Sequence, residues 1–427
     1  MRCVNRVDCS WSRPSEAYRI LPSGGHLSSG FHQCPLSSLS FRSSFVCCSS
    51  STSGPSDSNP ESSSNRSYSR RWQNPLPRRQ HPDQIPSSQI ARDWIDSDTT
   101  PVSQALERFT VVSYNILGDG NSSYHRELYS NVSVPYLKWG YRKRLICEEL
   151  IRLNPDIISM QRRTGDNVDG CAMFWKADRF GVLERENIEF SQFGMRDNVA
   201  QLAVLELRKS NKSRKILLGN IHVLYNPNQG DVKLGQVRSL CSKAHLLSKK
   251  WGDIPIVLCG DFNSTPKSPL YNFLASSELN VMEHDKKELS GQKNCRPTKV
   301  LETGSKSSNT ITFRSFCSSW TKEEIRVATG QENSYWAAHP LKLNSSYASV
   351  KGSANTRDSV GEPLATSYHS KFLGTVDYLW YSDGLLPARV LDTLPIDVLC
   401  KTKGLPCQEL GSDHLALVSE FVFEPDG

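Results

Sequence analysis

The stretch that most constrains the fold is Ile256-Val257-Leu258-Cys259-Gly260-Asp261-Phe262-Asn263-Ser264. Apolar and small residues run straight into Gly-Asp-Phe-Asn, the pattern of a buried strand that ends in a carboxylate with a carboxamide two residues on. Residues two apart share a face, so both polar heads meet at the sheet's edge. A carboxylate beside a neutral amide suits a hard divalent cation with a water or phosphate next to it. Read alone, the same letters also describe a strand entering an Asp/Asn turn. The remainder of the chain decides between the two.

Order is expected to begin near Glu107. Phe109–Leu117 is β-rich and stops at Gly118-Asp119-Gly120, which delivers Asn115 to a turn. Residues 142–153 carry Leu145, Ile146, Leu150 and Leu153 at helical spacing, and Asn154-Pro155-Asp156 ends that helix. Ile157–Met160 is the next buried strand, completing a strand-helix-strand unit. Further strands are expected at Gly170–Trp175, Gln201–Leu207 and Lys215–His222, the last ending in a histidine. Helices follow at 229–250 and 270–276. Residues 283–370 turn polar, rich in Ser, Asn, Lys and Thr, and read as a long, partly mobile insertion with one candidate strand at Thr310–Phe313. Strands return at Thr375–Tyr381, which carries Asp377, and at Leu417–Phe423, just after Ser412-Asp413-His414. Strands with helices between them, read as one unit over about 106–424, predict a two-layered α/β sandwich.

The flanks set further bounds. Residues 1–105 are rich in Ser, Pro and Arg and poor in acids, a composition that buries too little apolar surface to offset chain entropy. A disordered extension is expected there. The same composition fits an organelle transit peptide, and Arg70-Arg71-Trp72 with Pro77-Arg78-Arg79 could form a weak nuclear-import or RNA-tail patch. Thirteen scattered cysteines without a C-x-x-C pair argue against a disulfide framework or zinc module and for a reducing compartment. A net charge of +7 fits a polyanionic partner, and no apolar run is long enough for a membrane-spanning helix.

The polar residues at strand ends are, in order, Asn115, His222, Asp261, Asn263, Asp377, Asp413 and His414. Each alone is compatible with a plain structural role, although a carboxylate inside an aromatic strand, as Asp377 is, is costly without a partner. Taken together, Ser-Tyr-Asn-Ile-Leu, Asn-x-His, Gly-Asp-Phe-Asn, Val-Asp-Tyr and Gly-Ser-Asp-His stand in the order found in the endonuclease/exonuclease/phosphatase superfamily, which the chain resembles. That resemblance implies a four-layered α/β/β/α sandwich of two packed sheets. Trp139-Gly140-Tyr141-Arg142, Asn220–Pro227, Asp231–Gln236, His339–Leu343 and Phe372–Tyr378 narrow it to the carbon-catabolite-repressor-4 type of poly(A) deadenylase, in a plant-like form.

The resemblance implies a 3′-to-5′ exoribonuclease that uses two Mg2+ ions and acts on single-stranded RNA and poly(A) tails in mRNA turnover. Its site residues map onto Asp261, Asn263, His222, Asp377 and His414 as the catalytic set, and onto Asn115, Asp413 and Asp261 as metal ligands. Pro227 and Phe372, with Asn263, would hold the substrate, the first two flanking a terminal base. Nucleus and cytoplasm are the implied compartments, with plastid or mitochondrion as the alternative that the amino-terminal composition leaves open. The general deadenylation complex is an implied partner, although no leucine-rich-repeat docking region precedes the domain.

One departure stands against these agreements. In the family a metal-binding glutamate directly follows the Gln at the end of the second core strand. Here Met160-Gln161 runs into Arg162-Arg163-Thr164-Gly165, as if about 30 residues, one crossover unit, were missing. Two arginines near a cation site oppose cation binding. Asp166 and Asp169 are the nearest acids that could substitute. The expectation is therefore a damaged metal site and an impaired chain, with two alternatives: a non-catalytic RNA- or partner-binding isoform, or another phosphoesterase of the same fold.

Overall fold

A strand whose two faces are both apolar needs packing on both sides. Residues 108–115 show this: Phe109 and Val111 alternate with Val112 and Tyr114, and all four are buried. The computed structural model of the chain describes residues 90–98, 107–163, 169–208, 210, 213–297 and 320–425. Its main strands are β1 (Trp94–Asp96), β2 (Arg108–Asn115), β3 (Ile157–Arg163), β4 (Asp169–Trp175), β5 (Phe180–Glu189), β6 (Val199–Leu207), β7 (Lys215–His222), β8 (Ile256–Asp261), β9 (Asn344–Ser345), β10 (Asp377–Tyr381), β11 (Leu385–Leu391) and β12 (Leu417–Phe423). They form two six-stranded sheets, ordered β1-β11-β12-β2-β3-β4 and β9-β10-β8-β7-β6-β5.

The β2–β3 and β7–β8 pairs are parallel. A parallel pair needs a crossover, and each has a helix in it: α1 (Trp139–Leu153) and α2 (Gly230–Lys250). Between the sheets lie Phe109, Val111, Ile157, Met173, Leu205, Leu218, Val257, Leu379, Leu417 and Phe421. The outer face of the first sheet packs Val112, Tyr114, Ile158 and Met160 against Ile146 of α1. The outer face of the second packs Leu202, Leu217 and Leu258 against α2, α3 (Pro269–Ser276) and α4 (Lys322–Thr329). The result is the four-layered α/β/β/α sandwich that the resemblance implies, and not the two-layered one that the strand pattern alone suggests, because both sheets are apolar on both faces and each takes its own helical layer.

Two expectations need correction. The folded domain begins by residue 90, inside the span assigned to a disordered extension. β1 pairs with β11, and the guanidinium of Arg92 donates to the carbonyls of Asp392 and Ala416, each at 2.7 Å. Residues 1–89 and 99–106 lie outside the described residues. The polar span 283–370 is not merely an excursion either. It supplies Leu289, Ile325, Ala328, Ala337, Leu341 and Leu343 to one core and Tyr347 and Val350 to the other. A capping box starts α4: Thr321 accepts from Glu324 N, and the Glu324 carboxylate accepts from Thr321 N. The candidate strand Thr310–Phe313 lies outside the described residues. No described helix is long and apolar enough to cross a membrane.

Candidate active site

Along several strands, the face turned to the other sheet changes from apolar to polar. It reads Ile216, Leu218, Asn220, His222 on β7; Val257, Cys259, Asp261 on β8; Val111, Ser113, Asn115 on β2; and Ile157, Ser159, Gln161 on β3. β10 runs antiparallel to β8 and so begins at the polar end, with Asp377 opposite Asp261. His222 also faces Asp261 across β7–β8, and Asn115 faces Gln161 across β2–β3. The pleat therefore gathers these side chains at one end of the inter-sheet space. That end is the site.

Each residue of Gly-Asp-Phe-Asn has its own physical reason. Gly260 sits at φ +147, and a Cβ there would come 1.9 Å from the Ile221 carbonyl oxygen, so no larger residue fits. Phe262 is fully buried and packs edge-on to Tyr378 at 6.0 Å, pinning the loop. Asn263 takes a left-handed φ of +47, and its N–H donates to Asp261 Oδ1 at 2.9 Å, closing an Asx turn. Asn263 Nδ2 donates to Val223 O, and its Oδ1 accepts from Gln292 Nε2 at 3.0 Å. Beneath it lies Lys233, fully buried, whose ammonium donates to Asn263 O at 2.8 Å and to Gln292 Oε1 at 2.5 Å. Burial pulls this lysine down to about 7, with Asp261 pulling the other way.

Asp261 Oδ2 is the meeting point. It accepts from Asn115 Nδ2 at 2.9 Å and lies 3.5 Å from His222 Nε2 and 3.9 Å from His414 Nε2. The other ring nitrogen of His414 contacts Asp377 Oδ2 at 2.8 Å, and the Thr366 hydroxyl donates to the same oxygen at 2.6 Å. Burial opposes the imidazolium, but Asp377, Asp413 and Asp261 outweigh it and push His414 up to about 10. Burial also raises the Asp377 carboxyl, against the pull of His414. The loop bearing His414 is anchored twice. Ser412 Oγ donates to Asn115 O at 2.6 Å, and the buried guanidinium of Arg142 donates to Ile116 O and Leu117 O at 2.9 and 3.0 Å and reaches Gly411 O at 3.4 Å.

These groups open into a cavity of about 430 Å³. Asn115, His222, Asp261, Asn263, Asp413, His414 and Phe372 all line it. Asp377 stands behind His414, where it orients the ring. Pro227 is half-buried outside that lining, and Tyr225, two residues earlier, is at the rim instead. Of the expected Pro227–Phe372 flanking pair, Phe372 lines the cavity and Pro227 does not. Sequence reasoning missed Tyr129, whose hydroxyl donates to Asp413 Oδ2 at 2.8 Å, together with His369, Gln292, Thr366 and Lys233. Lys233 left a readable signal: it shares the core face of α2 with Val237, Leu240 and Ala244, where a charge is out of place.

Among the described residues, Asp261, Asp377 and His414 form an acid-histidine cluster with ligand atoms within 4.8 Å of one another. Asp377 Oδ2 is already committed to His414 and Thr366, so it orients rather than ligates. Asp261, Asp413 and Asn115 all line the cavity, and their oxygens are of the kind that a hard divalent cation takes, although Asn115 Oδ1 here accepts from Leu117 N at 3.2 Å. The partner for a second fits less well. Gln161 donates to Asn220, while its buried Oε1 has no hydrogen-bond partner among the described residues, and the next position is an arginine instead of an acid. Asp166 and the side chain of Asp169 lie outside the described residues.

A family model described as the endonuclease/exonuclease/phosphatase family matches residues 162–414, more than half of the chain. The chain belongs to the endonuclease/exonuclease/phosphatase family. Within it, the chain is a homologue of the carbon catabolite repressor 4 proteins: it is 95% identical over 449 positions to carbon catabolite repressor protein 4 homolog 3 of Arabidopsis thaliana, covering 100% of both. Homolog 5 of the same plant is 43% identical over 386 positions, covering 82% of this chain and 85% of its own. Among solved structures, this member of the family is similar to ANGEL2, described as a 2′,3′-cyclic phosphatase, in complex with adenosine-2′,3′-vanadate. The TM-score is 0.62 at 28% identity, covering 79% of this chain and 99% of that one. The alignment with homolog 3 is 22 positions longer than this chain (449 less 427), and 95% of 449 is about 427. The two thus differ mainly by about 22 gapped positions and little by substitution. Family membership makes the site that of a phosphoesterase, a hydrolase class that generally uses divalent metals.

Proposed function

We propose that this chain is a poly(A)-preferring, Mg2+-dependent 3′-to-5′ exoribonuclease scaffold for mRNA turnover whose hydrolytic step is impaired. The observation that carries the reading is the convergence of Asn115, His222, Asp261, Asn263, Asp413 and His414 on one cavity walled by Phe372 and Tyr225. Water attack on a phosphodiester needs a group to orient the water, donors for the phosphate oxygens and a route for the proton. Asp261 orients the water, held in turn by Asn115. His414, fixed by Asp377, and His222 present ring nitrogens toward the phosphate oxygens. Asn263 holds the loop between them, and Phe372 gives the terminal base a stacking face. A divalent cation on Asp261, Asp413 and Asn115 would neutralise phosphate charge.

Impairment is supported by the acid missing after Gln161 and by the 22 positions that this chain lacks relative to homolog 3. A second reading, a 2′,3′-cyclic phosphatase acting on RNA ends, is favoured by the likeness to ANGEL2. Nucleus and cytoplasm are the compartments proposed with the main reading.

The test incubates 5′-labelled oligo(A), and an oligo(A) ending in a 2′,3′-cyclic phosphate, with Mg2+ and three proteins. These are the chain, its Asp261→Ala variant and a form with a glutamate-bearing crossover restored after Gln161. Shortening from the 3′ end by the restored form alone supports the proposal. Opening of the cyclic end without shortening favours the second reading. Shortening by the chain itself, lost in Asp261→Ala by at least about a hundredfold, would show that the impairment is wrong.

A further inference from the structure

We infer that His369 reads the base of the nucleotide held in the cavity, by donating a hydrogen bond from Nε2 to a ring nitrogen of adenine. The inference rests on the nucleic-acid reading above and assigns the base selectivity that Phe372 cannot supply. Stacking on a phenyl ring is nearly indifferent to which base it meets, because every base offers a π-face. Selectivity needs a fixed donor or acceptor in a water-poor place.

A short hairpin provides one. Residues Ser367–His369 pair with Phe372–Gly374, and His369 stands directly opposite Phe372. Residues directly opposite on paired strands project to the same side of the ribbon. The two rings are 6.0 Å apart and inclined by 34°, and both line the cavity. The His369 ring also meets Tyr129 edge-on at 6.3 Å, and Tyr129 is itself bonded to Asp413. The hairpin tip is tied down: Ser370 N donates to Leu128 O at 2.9 Å, and its hydroxyl donates to Glu127 O at 2.8 Å. The imidazole is thus in contact with two aromatic rings, on a hairpin whose tip is tied down, in the cavity that the catalytic carboxylates also line.

Its protonation is set by the same surroundings. Nδ1 accepts the Lys371 N–H at 3.3 Å, so in the neutral ring the proton is on Nε2. Burial holds the ring well below the usual histidine range, at about 4, so it is neutral at physiological pH. No hydrogen bond from Nε2 is seen among the described residues. The charges that face the ring come from several elements: Asp413 and His414 from the loop before β12, and Lys371 from the hairpin. A neutral donor beside an aromatic face selects a flat ring with an acceptor on its edge. It does not select a phosphate, which the two catalytic histidines already address.

The test needs binding only and so does not depend on hydrolysis. Fluorescence anisotropy would compare 5′-labelled A6 with the same RNA ending in an abasic residue, for the chain, His369→Phe and His369→Asn. The chain is expected to prefer the adenine-ended RNA. His369→Phe, which keeps a ring against Tyr129 and Phe372 but loses the donor, is expected to cut that preference about tenfold while binding the abasic-ended RNA unchanged; the second result also shows that the variant folds. His369→Asn, which keeps an N–H donor, is expected to recover part of the preference. Replacing the terminal adenine by its 1-, 3- or 7-deaza analogues in turn is expected to reproduce the loss once, at no further cost in His369→Phe. A preference unchanged in His369→Phe, or binding by the chain that ignores the terminal base, overturns the inference and leaves the nucleic-acid reading standing. Failure of the chain to bind either RNA overturns both.

Discussion

Lys233 is the residue whose burial has the clearest measurable consequence. A fully buried ammonium with no carboxylate in ion-pair contact among the described residues is tolerable because Asn263 O, Gln292 Oε1 and Tyr225 O all accept from it. Its folded value near 7 lies below the roughly 10.4 of an exposed lysine. Between those limits the unfolded chain holds one more proton than the folded one, so this group's contribution to stability rises with pH from about 7 to about 10.4. The cost is fully present below pH 7. Urea denaturation across that window should show a rise that Lys233→Met lacks, a difference on the order of a few kcal/mol. Equal slopes in the two proteins would mean that the site is wetter than its packing indicates. At this scale the strand-end residues were legible, because a carboxylate or amide that closes an apolar run stands out against the residues before it. Thr366, Gln292 and His369 were not. They sit in polar sequence without period, and only the tertiary fold brings them under Asp377, Asn263 and the cavity wall.

At the scale of elements, legibility followed burial. β7, β8 and β12 are central, carry buried residues nearly throughout, and could be placed within a residue. β5 was missed because it is the edge of its sheet and alternates Glu184, Arg185 and Glu186 through its middle, which reads as a loop. β4 was found, yet its partner could not be: β3 pairs with it directly, Gln161 opposite Cys171 and Arg162 opposite Gly170. The helix that matters most to the site is α1, through Arg142. Its guanidinium gathers carbonyls from the turn after Asn115 and from the loop before His414. Arg142→Ala should cost about 3 kcal/mol or more, since hydrogen bonds to a charged group are worth about 1.5–3 kcal/mol each and the carbonyls are left buried. Thermal denaturation would measure it. A loss below about 1 kcal/mol would show that the two loops hold without the clamp.

At the scale of the whole molecule, the amino-terminal boundary is the first thing to test. A chain beginning at residue 106, where composition alone would cut, loses β1 and the three carbonyl contacts of Arg92, to Asp392, Leu391 and Ala416. It should be roughly 2–4 kcal/mol less stable than a chain beginning at residue 90. Matching midpoints in chemical denaturation would return the boundary to 106. The order of strands in the first sheet has another consequence. β12, the last strand, lies at the centre of that sheet, antiparallel to β2, so Val422 meets Arg108 and Leu417 meets Ser113. Strands so distant in sequence carry a large loop-closure cost, and the centre of the sheet cannot close until both are free. On the ribosome, then, the growing chain waits with its middle open until Leu417–Phe423 has left the exit tunnel. Nascent chains arrested with residues 417–427 still inside should be cut by protease, and released chains should resist it.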